Sequence, residues 1–167
     1  MYIPRIYCGL DGVLADFNAG VSYLFKKRPH SNSNDQLWSK LACTPDFYTY
    51  LPWKQDGHKL WTAIRPLQPT ILTGIPGRWA EAQKIDWINR ELGPNVSFIT
   101  CPSKHKFYHC PTDRPGAILI DDNKRYKEQW QEAGGIFILH TETEETIKQL
   151  ELLLGIPLES TSETTRC

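Results

Sequence analysis

Ile6-Tyr7-Cys8-Gly9-Leu10-Asp11-Gly12-Val13-Leu14-Ala15-Asp16-Phe17 is a short apolar run that passes straight into an acidic, glycine-containing turn. A strand ending in such a turn presents carboxylates at the carboxyl edge of a sheet, the edge on which open α/β folds bind their ligands. Carboxylates at that place suit a hard, oxygen-preferring cation such as Mg²⁺. Successive strand side chains point to opposite faces, so Cys8 and Gly9 serve different faces. Cys8 reads as a small buried hydrophobe, and Asp16, beyond the turn, as a helix-start or lid residue.

Working outward, residues 18–61 are rich in aromatic, Ser, Asn and Pro residues and show weak helical periodicity, which marks an insertion. From Pro69 the pattern changes to short apolar runs alternating with amphipathic stretches. The runs are 70–73, 96–100, 117–120 and 136–140; the helical stretches are 79–92, 123–133 and 142–154. Such alternation predicts βαβ units and a largely parallel sheet. Ile85, Ile88 and Leu92 mark one helix face before Gly93-Pro94, and Tyr126, Trp130 and Ala133 mark a second before Gly134-Gly135. The last helix carries the spacing of a capping box, Thr141 with Glu144, an Ile147/Leu150/Leu154 stripe and a stop at Gly155. No internal repeat is present, and the polar segment 158–167 reads as a disordered tail.

The 167 residues fit one domain with a core and an insertion. Lysine plus arginine equals aspartate plus glutamate at 19 each, which gives no general drive toward long nucleic acid or an anionic membrane. Any charged ligand must be held locally. The amino terminus leads directly into the first strand, and no apolar run reaches the ~20 residues of a membrane span. The five cysteines, Cys8, Cys43, Cys101, Cys110 and Cys167, are odd in number and scattered, and read as reduced thiols. A soluble, cytoplasmic protein is expected.

Two further strand ends carry chemistry. Ile71-Leu72-Thr73-Gly74 ends in a hydroxyl and a turn glycine, which serve either an anion or plain turn chemistry. Ala117-Ile118-Leu119-Ile120-Asp121-Asp122 ends in adjacent carboxylates that repel one another, so a bound cation explains them; the alternative is helix capping by Asp122 or Asn123. Between them lie Lys104 and Lys106 in Cys-Pro-Ser-Lys-His-Lys-Phe-Tyr. Cys101, His105, His109 and Cys110 are an alternative constellation for Zn²⁺, although they lack a Cys-x-x-Cys knuckle.

Taken in order, these motifs resemble the haloacid dehalogenase (HAD) phosphatase superfamily, whose first signature reads Asp-x-Asp-Gly-[Val/Thr]. Within it, Ile-Leu-Ile-Asp-Asp-Asn followed by Trp130 and Gly-Gly-Ile-Phe-Ile-Leu-His is similar to the 5'(3')-deoxyribonucleotidase group, including phage-type members. The resemblance covers roughly residues 5 to 150. It implies an α/β, HAD-like Rossmannoid three-layer sandwich with a mostly parallel sheet. The domain spans 1–157, with a small helical cap over about 18–61. It further implies a Mg²⁺-dependent phosphomonoesterase acting on nucleoside monophosphates. Asp11 then takes the general acid/base position, Thr73 and Gly74 hold phosphate, and Lys106, with Lys104 as alternative, offsets its charge. Asp121, Asp122 and the Asp11 backbone carbonyl hold the metal. Phe17 and Trp53 are expected to touch substrate, and with Trp38, Phe47, Tyr48 and Tyr50 they either stack a base or form the cap's own core.

Gly9 stands where the family carries its nucleophilic aspartate. It removes a covalent nucleophile and an anionic metal ligand together, a loss on the order of 10³-fold or more in rate. Three readings follow: a phosphomonoesterase impaired at position 9; a pseudophosphatase that binds a phosphorylated ligand without turnover; and a scaffold that presents its aromatic cap to a protein. Buried like charges argue against the scaffold.

Overall fold

The computed structural model describes residues 2–25 and 34–159. Within them the strands β1 (Ile6–Cys8), β2 (Thr70–Gly74), β3 (Phe98–Cys101), β4 (Ile118–Asp121) and β5 (Ile136–Leu139) form one sheet. Every pairing is parallel, in the order β3-β2-β1-β4-β5. Cys8 lies opposite Ile71 on one side and Ile120 on the other, so β1 is central. The chain leaves β1 for β2 and β3, then crosses to β4 and β5. The order reverses at β1, and the crevice outside the carboxyl ends of β1 and β4 is where such a sheet takes a ligand.

Helices cover both faces, because strand side chains alternate between them. On one face Ile6, Cys8, Ile71, Ile118, Ile120 and Ile138 share a core with three helices. These are α3 (Gly57–Ile64), α4 (Arg78–Glu91) and α6 (Thr143–Leu154). Two further helices, α1 (Phe17–Phe25) and α2 (Asn34–Ala42), precede them. On the opposite face Tyr7, Leu72 and Leu119 pack with Trp130 of α5 (Lys127–Glu132). Trp130 anchors that layer: its indole is fully buried, donates to Ala117 O at 3.1 Å and meets Tyr7 edge-on at 5.4 Å. The expected three-layer α/β sandwich with a parallel sheet is thus the observed architecture, and among the described residues no helix is long and apolar enough to cross a membrane.

Local expectations need correction at several points. Residues 57–61, expected inside the insertion, begin α3, whose Leu60, Trp61 and Ile64 belong to the main core. On α4 the buried face is Ala80, Lys84, Trp87 and Ile88 rather than the line through Ile85, so a lysine occupies an apolar stripe. The 123–133 stretch divides into a 3₁₀ turn, Lys124–Tyr126, capped by Asn123 Oδ1 accepting from Arg125 N–H at 2.9 Å, and α5. Thr141 and Glu144 form no capping box; Glu142 is the N-cap without a side-chain bond, and Glu144 pairs with Lys59. α6 does stop at Gly155, whose left-handed φ of 65° lets its N–H reach Glu151 O at 2.8 Å. Leu158, expected in the tail, is partly buried, and its N–H donates to Glu151 Oε1 at 2.8 Å; 160–167, including Cys167, lie outside the described residues.

Candidate functional site

The turn after β1 is built by one carbonyl. Leu10 O accepts from the N–H groups of Val13, Leu14 and Ala15 at 3.0–3.3 Å, while Gly9 N–H donates to Ile120 O at 2.8 Å. Gly12 adopts a left-handed φ of 76°, and a Cβ there would fall onto Asp122 Oδ2. Gly9 is different. Its φ lies outside the left-handed region, and a Cβ there would sit 3.3 Å from Ile120 O, 3.4 Å from Val13 Cγ2 and 3.5 Å from Asp121 Cγ. Side chains at position 9 and Asp121 would therefore share one corner of the crevice.

Beside that turn, α4 brings Lys84 under the strand ends. Its ammonium, with 1% of the residue exposed, donates to Asp11 Oδ2 at 2.5 Å, Gly74 O at 2.6 Å and Thr73 Oγ1 at 3.1 Å. The Tyr48 ring lies 4.5 Å away. Asp11 Oδ1 is buried without a hydrogen-bond partner. The Tyr48 hydroxyl is pushed upward from its ordinary value, first by burial and then by Asp11.

The acids after β4 meet the second lysine. Lys106, from the 3₁₀ turn Ser103–His109, donates to Asp121 Oδ2 at 2.6 Å, and both side chains are nearly buried. Asp121 Oδ1 accepts from Asn123 N–H at 3.1 Å. Asp122 is exposed as a residue, but its carboxyl leans over Gly12 and is pushed up to about 7 by burial, by the charge and hydrogen bond of Asp121, and by Asp11; Lys106 acts against the shift. The Asp121 and Asp122 carboxylates and the Asp11 carbonyl are all hard oxygen donors and fit Mg²⁺ in kind. Among the described residues no three His, Cys, Asp or Glu side chains converge as a ready-made metal cluster, and Gly9 adds no ligand.

These groups floor a crevice of about 750 Å³. One wall is aromatic: Phe17 stacks on Tyr48 at 6.1 Å and lies 6.1 Å from Trp38, and Tyr48 lies 5.7 Å from Trp79. Elsewhere the crevice meets Lys54, Tyr126 and His140. His140 is buried, its Nδ1 is 2.7 Å from Thr146 Oγ1, and burial, then the Lys54 charge, lowers it to about 4.

The structure brings Asp11, Thr73, Gly74, Lys106, Asp121, Asp122 and Phe17 into this one crevice, beside Gly9. Trp53 does not join them. It stacks on His58 at 3.8 Å, lies 5.1 Å from Trp87 and donates to Glu91 Oε2 at 2.9 Å, so it serves packing rather than substrate contact. Tyr50 is exposed beside Arg90, and Phe47 packs edge-on behind Phe17. Lys104 lines the crevice but is exposed, whereas Lys106 is the lysine paired with an acid. Asp16 caps α1, accepting from Ala19 N–H at 2.9 Å. Cys8 is fully buried and its thiol is held upward by burial, which leaves it inert. Cys101 and Cys110 pack in the small core, and the zinc constellation does not assemble. Sequence reasoning missed Lys84, Trp79, Lys54 and His140. For Lys84 a signal existed, since it sits four residues after Ala80 and four before Ile88 on the buried stripe.

No family model and no curated protein matches this chain. Among solved structures it is similar to the crystal structure of a hydrolase from Streptococcus pneumoniae TIGR4. That match has 13% identity and a TM-score of 0.48, and covers 93% of this chain and 100% of the other.

Proposed function

We propose that this chain binds a nucleoside monophosphate in the β1/β4 crevice, at a site of the HAD phosphomonoesterase type, and that Gly9 withholds the covalent step. The observation that carries this reading is convergence. Asp11, Thr73, Lys106, Asp121 and Asp122, distant in sequence, meet at the switch point, and a Cβ on Gly9 would lie 3.5 Å from Asp121 Cγ. Thr73 and Lys106 supply a hydroxyl and an ammonium for phosphoryl oxygens. Asp121, Asp122 and the Asp11 carbonyl would hold Mg²⁺, which supplies charge neutralisation at phosphorus. The Asp11 carboxylate, on the crevice floor, would move a proton to or from the ester. The Phe17/Trp38/Tyr48/Trp79 wall offers a base its stacking surface, with α1 and α2 as part of a small helical cap. The described cysteines, Cys8, Cys43, Cys101 and Cys110, are free thiols, which suits a reducing, cytoplasmic setting.

The test is phosphate release from deoxynucleoside and ribonucleoside monophosphates with Mg²⁺, run on this chain beside Gly9→Asp, with calorimetric binding of the same nucleotides to both. Binding to both, with release confined to the substituted chain, is the expected result. Absence of binding and of release in both overturns the reading. Efficient release by the unsubstituted chain would transfer the nucleophile's role to another group.

A further inference from the structure

We infer that Lys84 is the positioning residue of this site. It holds the Asp11 carboxylate in place and fixes which way the Thr73 hydroxyl points. An ammonium has three N–H donors and no acceptor, and burying it unpaired is strongly unfavourable. Here all three donors are matched: Asp11 Oδ2 from the turn after β1, and Thr73 Oγ1 and Gly74 O from the end of β2. One side chain rising from α4 thus ties two neighbouring strand ends together. Its side chain is almost wholly buried. Ala80, Trp87 and Ile88 are its buried neighbours on the helix, and the Tyr48 ring caps the ammonium.

Two consequences follow from donor and acceptor counting. With Oδ2 engaged, the Asp11 carboxylate is held at the crevice floor, while its Oδ1 is buried and has no partner of its own. Because Thr73 Oγ1 accepts from Lys84, its own hydrogen is free to point elsewhere, toward an acceptor in the crevice such as a phosphoryl oxygen. Lys106 plays the complementary part on the opposite side of the floor, where it is paired with Asp121. The placement stands on the contacts alone, while its effect on turnover rests on the phosphate-ester reading above.

Three measurements on the full chain test this assignment. In the unsubstituted protein, the Lys84 ammonium is expected to give a slowly exchanging NMR signal with a hydrogen-bond coupling to the Asp11 carboxylate. An ammonium without that coupling overturns the inference, and this measurement decides even where Lys84 variants fail to fold. In a crystal structure of Lys84→Met, the Asp11 carboxylate is expected to leave its place; an unmoved carboxylate overturns the inference. In the Gly9→Asp background, Lys84→Met is expected to lower kcat by about 10²-fold, with KM changed less than about 3-fold. There, adding Lys84→Met to Asp11→Asn should cost nothing further, because both changes remove one function. Additive losses, or a loss entirely in KM, would mean a structural role and overturn the assignment. Silence of Gly9→Asp on every ester, with the NMR coupling present and Asp11 displaced in Lys84→Met, would sink the phosphatase reading and leave Lys84's placement standing.

Discussion

The ends of β1 and β4 run side by side and leave the sheet together, yet they finish differently. Cys8 pairs with Ile120, and one residue later β4 offers the Asp121 carboxylate while β1 offers Gly9. The contrast sharpens within the turn itself. Gly12 is required twice, by its left-handed φ and by the Asp122 carboxyl lying over it, whereas the Gly9 backbone is ordinary and a Cβ there would meet Ile120 O at 3.3 Å, a tight contact that a shift of a few tenths of an ångström would relieve. One glycine is a condition of the fold. The other is a close fit without backbone strain.

The largest effect that could break this comparison is catalytic. Gly9→Asp is expected to raise Mg²⁺-dependent phosphate release by at least ~10³-fold; an unchanged rate in a folded variant that still binds nucleotide would show that position 9 is not the missing part. Next comes the neighbouring pair. Lys106→Met leaves Asp121 nearly buried beside Asp122 without its cation, which should destabilise the fold by roughly 3 kcal/mol in urea unfolding and weaken nucleotide binding by about 10-fold or more in calorimetry. Wild-type stability and affinity in that variant would remove Lys106 from the site.

The two glycines themselves can be compared by alanine. Gly12→Ala should cost about 2 kcal/mol or more, since it combines a positive φ with a collision, while Gly9→Ala should stay within about 1 kcal/mol. Equal costs in chemical denaturation would erase the distinction drawn between them.

The smallest effect is a pH slope. Asp122, raised from 3.8 to about 7, binds its proton more tightly folded than unfolded, so it contributes stability at low pH that is lost as pH rises through that window. His140, lowered from 6.5 to about 4, has the opposite sign: its contribution is present above 6.5 and is lost as pH falls toward 4. The two oppose each other during acidification. Asp122→Asn should therefore make the melting temperature fall more steeply between pH 6.5 and 4, and saturating Mg²⁺ should weaken the Asp122 slope in the parent chain. Parallel melting curves for parent and variant would take Asp122 out of the acidic pair.

The floor of the crevice was legible in the sequence because strand ends are legible. Ile71–Thr73 and Ile118–Asp121 each announce a buried run and place the polar residue that follows it at the carboxyl edge. The walls were much less so. Trp53 and Trp38 are chemically alike, and only tertiary packing turns the first toward Trp87 and the second into the crevice. Lys84 was hidden by a rule that holds elsewhere, that a helical lysine faces water. Its place on the Ala80/Trp87/Ile88 stripe makes sense only once Asp11 and Thr73 are seen above it. Thr141 and Glu144 had the right spacing for a capping box, but Lys59 of α3 claims Glu144 across the layer.

The two sides of the sheet differ in thickness, and in the language of amide exchange that difference has a site-specific consequence. Three helices seal one face, while the other rests on the short α5, the 3₁₀ turn that carries Lys106, and the Trp130 indole. Sub-global opening begins where few apolar groups are buried. Deuterium should therefore enter the amides of Ser103–His109 and α5 well before those of α4. Each such opening would part Lys106 from Asp121 while leaving Lys84 under Asp11, so one of the two lysines would come and go on the breathing of a thin layer and the other would leave only with the whole fold.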